Sequence, residues 1–97
     1  MEHGKIRLIN SGTDGGADGY TQTIAYAFNN RLYRITNDGP GNGNPGNMRI
    51  WVTRKSLFRS YTTLLELQSG RSVDVFGSQI KVEALETLQL FGSFDTI

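Results

Sequence analysis

The sequence lacks cysteine altogether and contains a single histidine, His3. Without cysteine the chain forms no disulfide, no thiolate nucleophile and no cysteine-bound zinc site. One histidine also excludes a multi-histidine metal site within one chain. Because His3 lies near the N-terminus, we expect no folded histidine that would activate a serine. We therefore expect a protein without cofactor or metal that is not an enzyme.

Long apolar runs and a charge excess are also missing. No run approaches the roughly 18 apolar residues that a membrane span needs, and residues 1–5 lack the apolar core of a signal peptide. Ten basic and nine acidic side chains leave a net charge of +1. This balance excludes a highly basic nucleic-acid-binding arm and an acidic mimic of DNA. We expect a soluble cytoplasmic protein with no membrane partner, and a single small domain over residues 1–97.

Glycine is concentrated in two stretches, at residues 11–19 and 38–47, and both prolines lie in the second. Glycine and asparagine tolerate positive φ and proline removes a donor, so both stretches are predicted to be loops. Neither has the lysine followed by serine or threonine that a phosphate-binding loop needs. Whether these loops become ordered on binding stays open.

Alternating apolar residues predict strands at 5–10 and 48–52. Two further segments are predicted to form hairpins. Residues 21–36 would turn at Asn29–Asn30, since asparagine accepts the conformation of tight turns. Residues 72–82 would turn at Gly77–Ser78, because that register pairs apolar with apolar and Asp74 with Lys81.

Apolar residues at helical spacing predict one long amphipathic helix over residues 53–69, ended by Gly70. Residues 84–91 fit a short helix or a strand, and we favour the helix. The element order is then β-ββ-β-α-ββ-α. This order predicts an α+β fold, a mainly antiparallel sheet with the long helix packed on one face. In the predicted core, apolar side chains of the sheet pack under one face of the long helix. The sheet residues are Ile6, Leu8, Ile24, Tyr26, Tyr33, Ile35, Ile50 and Val52. The helix residues above them are Leu57, Tyr61, Leu64 and Leu65.

Basic residues are concentrated in the middle of the chain. Residues 31–61 hold six basic residues and one acidic residue, a net charge of +5. Arg54, Lys55 and Arg59 would lie in the first turns of the predicted helix, where the helix dipole disfavours cations. An anionic partner would make the cations favourable there. Alternatively, screening by salt or by nearby acidic side chains would make their free-energy cost tolerable.

Trp51 adds a ring to this basic region. Strand alternation places it on one face with Arg49, away from Ile50, and Arg34 would share that face if the strands align. Arginine beside tryptophan suits stacking on bases or on a partner's side chains. The alternative is that Trp51 belongs to the core.

A stretch over residues 8–36, with a gap inside it, resembles the strand meander of small phage-encoded inhibitors of Cas9. The resemblance is carried by Ser11-Gly12-Thr13-Asp14, Thr21-Gln22 with Ile24, Asn29-Asn30 and Tyr33-Arg34-Ile35. That family acts as an acidic decoy for DNA, and this chain lacks the acidic surface. The resemblance therefore implies no functional residue here, and only a small mobile-element protein that acts by binding.

The sequence thus predicts a small binding or inhibitor protein, encoded by a phage or mobile element and similar in role to an anti-CRISPR. Its partner would be nucleic acid, a ribonucleoprotein or another nucleic-acid-binding complex, or an acidic protein surface. The predicted partner-binding residues form a basic patch: Arg34, Arg49, Trp51, Arg54, Lys55 and Arg59. One alternative is a homodimer or larger assembly through an open sheet edge. Another is a small-molecule or nucleotide binder, with a glycine-rich lid over Tyr20, Tyr26, Phe28 and Tyr33.

Overall fold

The computed structural model describes residues 3–9, 21–40, 46–85 and 89–97. They form six strands: β1 His3–Ile9, β2 Thr21–Gly39, β3 Asn47–Lys55, β4 Ser60–Leu67, β5 Ser72–Leu85 and β6 Gln89–Thr96. The strands make one sheet in the order β1-β6-β2-β5-β3-β4, with every neighbouring pair antiparallel. The described part of the chain is therefore all-β, and the predicted α+β class is wrong. Residues 11–19 and 41–45 of the glycine-rich stretches lie outside the described residues.

The predicted helix over residues 53–69 is instead the end of β3, a turn and β4. β3 and β4 form a regular hairpin from Lys55 opposite Ser60 to Met48 opposite Leu67. The spacing from Tyr61 to Leu65 fits a strand as well as a helix, and the β-branched and aromatic run that begins β4 favours the strand. Gly70 does end an element, since its φ is 80° in the turn after β4.

The two predicted hairpins are also wrong, because β2 and β5 are long strands that pair with each other. Tyr26 lies opposite Gln79 and Arg31 opposite Gly77, so residues 27–30 bulge out of β2 against Ser78 alone. A tight turn and a β-bulge both interrupt the regular alternation of apolar and polar side chains, so the two give the same pattern in the sequence. The sequence pattern therefore identified the two sites of bending but not their geometry.

Beyond the paired residues, β5 passes close to β3 at Gly77, and β2 is bonded to β1 at Gln22. A Cβ added at Gly77 would lie 2.7 Å from the carbonyl oxygen of Thr53, so glycine permits this approach. The Gln22 side chain accepts a hydrogen bond from the Arg7 amide at 3.1 Å and donates one to the Lys5 carbonyl at 3.4 Å. The edge strand β1 is thus bonded to the N-terminal half of β2 as well as to β6.

The core lies on the inner face of the bent sheet, where the buried side chains come from all six strands. They are Ile6, Leu8, Ile24, Ala25, Tyr33, Ile35, Met48, Ile50, Val52, Leu67, Val75, Ile80, Val82, Ala84 and Leu90. Seven of the eight sheet residues expected in the core are among them, and Tyr26 is the exception. The expected helix residues Leu57, Tyr61 and Leu64 are exposed, because the segment that contains them is a strand and a turn, and no helix from the described residues covers the sheet.

The tail is a strand where it is described. Ala84 and Leu85 end β5, and Phe91 lies in β6, so the favoured short helix over residues 84–91 is wrong for these residues. β6 pairs with β2 on one side and with β1 on the other, which places it inside the sheet. Leu90 in this strand is fully buried.

Candidate functional site

The outer face of β3 carries Trp51 between two cations. Arg49 and Lys81 have their charged groups 5.7 and 5.6 Å from the Trp51 ring centroid. Trp51 shares this face with Arg49, as strand alternation predicts, and it is half-buried rather than fully exposed or part of the core. Its ring is therefore already engaged by side chains of this chain.

Two of the predicted patch residues already have acidic partners. Arg34 donates to both carboxylate oxygens of Asp74, at 2.9 and 3.2 Å. This hydrogen bond holds the pKa of Asp74 below its usual range and raises that of Arg34. Arg49 lies 3.4 Å from a carboxylate oxygen of Glu83. Neither arginine is a freely available cation for an external partner.

Arg54 and Lys55 point to opposite faces of β3, because successive strand residues alternate. Arg54 is opposite Tyr61 in the hairpin and its guanidinium lies 5.0 Å from the Phe76 ring centroid. Lys55 instead places its ammonium 5.5 Å from the Phe28 ring centroid. The structure therefore does not place Arg34, Arg49, Trp51, Arg54, Lys55 and Arg59 in one patch. No helix dipole acts on Arg54, Lys55 or Arg59, which lie in β3 and the turn after it.

Three large apolar side chains are almost fully exposed where the β2 bulge meets the β3–β4 turn. Phe28 is 87%, Leu57 88% and Phe58 89% exposed. Lys55 and Arg59 flank them, and neither has an ion pair among the described residues. We call Phe28, Lys55, Leu57, Phe58 and Arg59 the basic aromatic tip.

Hydrogen bonds hold the two parts of the tip together. The Asn30 amide donates to the Lys55 carbonyl at 2.7 Å and accepts from the Lys55 amide at 2.8 Å. The Ser56 amide donates to the Arg59 carbonyl at 2.8 Å, which closes the turn. A cleft of about 500 Å³ lies between the bulge and the turn, lined by Phe28 and Leu57 among others. The exposed rings are therefore presented by a hydrogen-bonded scaffold.

Leu57 and Phe58 are not among the predicted site residues, because both lie in the predicted amphipathic helix over residues 53–69. Phe28 is predicted only as part of the alternative small-molecule site, with Tyr20, Tyr26 and Tyr33. The structure shows Tyr33 fully buried, whereas Tyr26 and Phe28 are exposed, so these three rings do not share one environment. Tyr20 lies outside the described residues. One available signal is the position of Phe28, Leu57 and Phe58 beside polar turn residues, where a core residue is unusual.

Comparison with protein-family models, with curated proteins and with solved structures finds no match to this chain. Within the described residues there is no group of three or more histidine, aspartate or glutamate side chains placed to hold a metal ion. Those residues also include no helix with the length and apolarity needed to cross a membrane. The basic aromatic tip is therefore the feature of this chain from which a function can be inferred.

Proposed function

We propose that this chain is a non-enzymatic binding protein whose basic aromatic tip binds single-stranded nucleic acid. The observation that carries the proposal is the placement of two almost fully exposed phenylalanines beside Lys55 and Arg59. Neither cation has an acidic partner in the described part of the chain. Base stacking on aromatic rings together with phosphate contacts is the common chemistry of single-strand binding.

The exposed rings favour a single strand over the other anionic partners that the sequence suggested. In a duplex the base faces are stacked on each other and are not available to Phe28 and Phe58. A purely acidic protein surface would use Lys55 and Arg59 but would leave the three apolar side chains in water. The cleft between Phe28 and Leu57 is open enough to admit a planar ring.

Small size and a preformed binding tip suit an inhibitor that blocks its target by occupying it. The proposal therefore keeps the wider role predicted from the sequence, a cytoplasmic phage or mobile-element protein directed against a nucleic-acid-containing host complex. A ribonucleoprotein with an accessible single strand could bind to the same basic aromatic tip.

The test is fluorescence anisotropy with a labelled strand of about 12 nucleotides, as oligo-dT and as oligo-U, over a series of salt concentrations. Lys55→Glu with Arg59→Glu removes two phosphate contacts. We expect at least a tenfold loss of affinity and a salt dependence shallower by about 1.4 in log–log slope. Phe28→Ser with Phe58→Ser should weaken binding by about 1–3 kcal/mol per lost stacked base, with the salt slope unchanged.

Lys5→Glu with Arg7→Glu is the matched control, since it makes the same charge change on the edge strand β1, where both side chains are exposed. It should leave the salt slope as in the wild type. A wild-type protein that binds neither strand at low salt would overturn the proposal. So would binding that the tip variants leave unchanged.

A further inference from the structure

A second surface lies on the inner side of the sheet, beside the free edge of β4. Within the described residues β4 has a strand partner on one side only, because it ends the strand order. Residues 72–77 of β5 pair with β2 but with no described strand on their other side. A groove of about 340 Å³ runs between these two edges.

The groove opens onto the core. Tyr61 and Leu65 alternate along its β4 wall, and Val52 and Val75, each 6% exposed, lie beneath. Phe76 is 42% exposed on the opposite wall. Alternate side chains beside an unpaired backbone edge are the arrangement to which an extended peptide adds as a new strand. The groove therefore has the side-chain pattern of a strand-addition site.

The charge of the groove indicates which kind of peptide would bind as the added strand. Arg54 is the only charged side chain that lines the described groove, and no acid lines it. Its guanidinium is held over the Phe76 ring, which leaves it without an ion pair among the described residues. A peptide with an acidic residue at this end of the groove would supply the missing charge.

A second copy of this chain fits less well. The side chains of β4 that line the groove are Tyr61, Thr63 and Leu65, and none is acidic. The acidic residue of β4, Glu66, lies on the other face of the sheet, where its cross-strand partner is Arg49. Because pairing two β4 strands about a two-fold axis keeps each face on its own side, Glu66 would not reach Arg54.

We propose that this groove binds an extended, apolar segment of a partner protein as an added strand on β4, with an acidic residue of that segment paired to Arg54. This inference is independent of the tip, since it uses the opposite face of β3. A protein with both surfaces would hold a nucleic acid and a protein partner at the same time.

The probe is the synthetic peptide acetyl-Asp-Thr-Val-Thr-Val-Thr-Asp-amide, in which strand alternation places both aspartates on the same face as the valines. It carries an acid at each end and so fits either strand direction. Titration calorimetry should show binding that Arg54→Glu weakens at least tenfold. A peptide with lysine in place of both aspartates should bind the wild type at least tenfold more weakly, and should prefer the Arg54→Glu variant. A proline at the central threonine should abolish binding, because it removes a backbone donor.

Hydrogen exchange locates the peptide. Amides of residues 60–67 should become protected on binding, whereas those of the other edge strand, β1, should not change. Arg59→Glu is the matched control: it should weaken nucleic-acid binding by the tip and change peptide affinity less than twofold. The two proposals can therefore fail separately.

Three outcomes would overturn the groove assignment. The first is equal binding of the aspartate and lysine peptides. The second is no binding of the aspartate peptide at millimolar concentration. The third is protection of β4 that rises with protein concentration in the absence of peptide, which would identify a second copy as the occupant.

Discussion

β2 reverses the usual relation between polarity and burial at two of its positions. Asn37, a polar residue, is fully buried, whereas Phe28, a large apolar residue in the same strand, is 87% exposed. Burial of an amide normally costs free energy, and so does exposure of a phenylalanine. The two positions differ in whether the rest of the chain supplies partners.

Asn37 is satisfied by the chain itself. Its amide nitrogen donates to the carbonyls of Gly46 and Leu67 at 3.0 and 2.8 Å, and its side-chain oxygen accepts from the Gly39 amide at 2.9 Å. These bonds tie β2 to the start of β3 and the end of β4. Phe28 has one described side-chain partner, the Lys55 ammonium. One position therefore holds the sheet together, and the other is available for a ligand.

The largest expected effect is on stability at Asn37. Asn37→Ala removes three buried hydrogen bonds and leaves the Gly39 amide without its acceptor, whereas the Gly46 carbonyl keeps the Ser69 hydroxyl as a donor. Each lost bond costs about 0.5–1.5 kcal/mol, and more where a buried group is left unpaired, so we expect the free energy of unfolding to fall by about 2–4 kcal/mol. Urea denaturation followed by the fluorescence of the single tryptophan, Trp51, measures this.

Asn29→Ala is the matched control, since Asn29 is exposed in the bulge. It should change stability by less than about 0.5 kcal/mol. Similar losses in the two variants would mean that the hydrogen bonds of Asn37 do not hold β2 to β3 and β4.

Much of the core could be predicted from the sequence, because alternation marks buried positions whatever the connection between strands. Ile6, Ile35 and Ile50 were expected in the core and are buried there. The topology could not be predicted, because a bulge opposite Ser78 and a hairpin turn produce the same pattern. Pairing of β2 with β5 depends on contacts between residues distant in sequence, which local patterns do not report.

A smaller effect on stability is expected at the tip. Phe28→Ser with Phe58→Ser removes rings that are already in water, and an exposed cation–π contact contributes only about 0.5–1 kcal/mol. We expect a stability change within about 1 kcal/mol, by the same urea denaturation. Phe94→Ser is the contrasting variant, since Phe94 packs against the core, and it should cost at least about 2 kcal/mol. A large loss in the tip variant would show that the rings stabilise the fold instead.

The tip could be predicted only in part. Charge alone predicts Lys55 and Arg59 as binding residues, and their charge does not depend on whether the segment is a helix or a hairpin. Arg54 was grouped with Lys55 by sequence proximity, which fails in a strand because neighbours point to opposite faces. Arg34 and Arg49 have acidic partners from β5, and such pairing across strands requires the register.

The smallest expected effect is on the pH dependence of stability, and it distinguishes Arg34, which has an acidic partner, from Lys55 and Arg59, which have none among the described residues. Asp74, on β5, accepts from Arg34, and its pKa is lowered by that hydrogen bond. A carboxyl whose pKa is lower when folded than when unfolded stabilises the fold above its unfolded pKa. That contribution is lost as the pH falls through the folded pKa. The stability difference between wild type and Asp74→Asn should therefore be constant from about pH 7 to pH 5 and shrink below about pH 4.

Urea denaturation at these pH values measures the difference. Lys55→Gln with Arg59→Gln provides the comparison, because no described acid pairs with either cation. Its stability difference from wild type should not shrink over the same acidic range. A difference for Asp74→Asn that grows on acidification would contradict the assigned direction. A shrinking difference for the tip variant would mean that Lys55 or Arg59 has an acidic partner, and would weaken the case that the tip cations are available to a nucleic-acid strand.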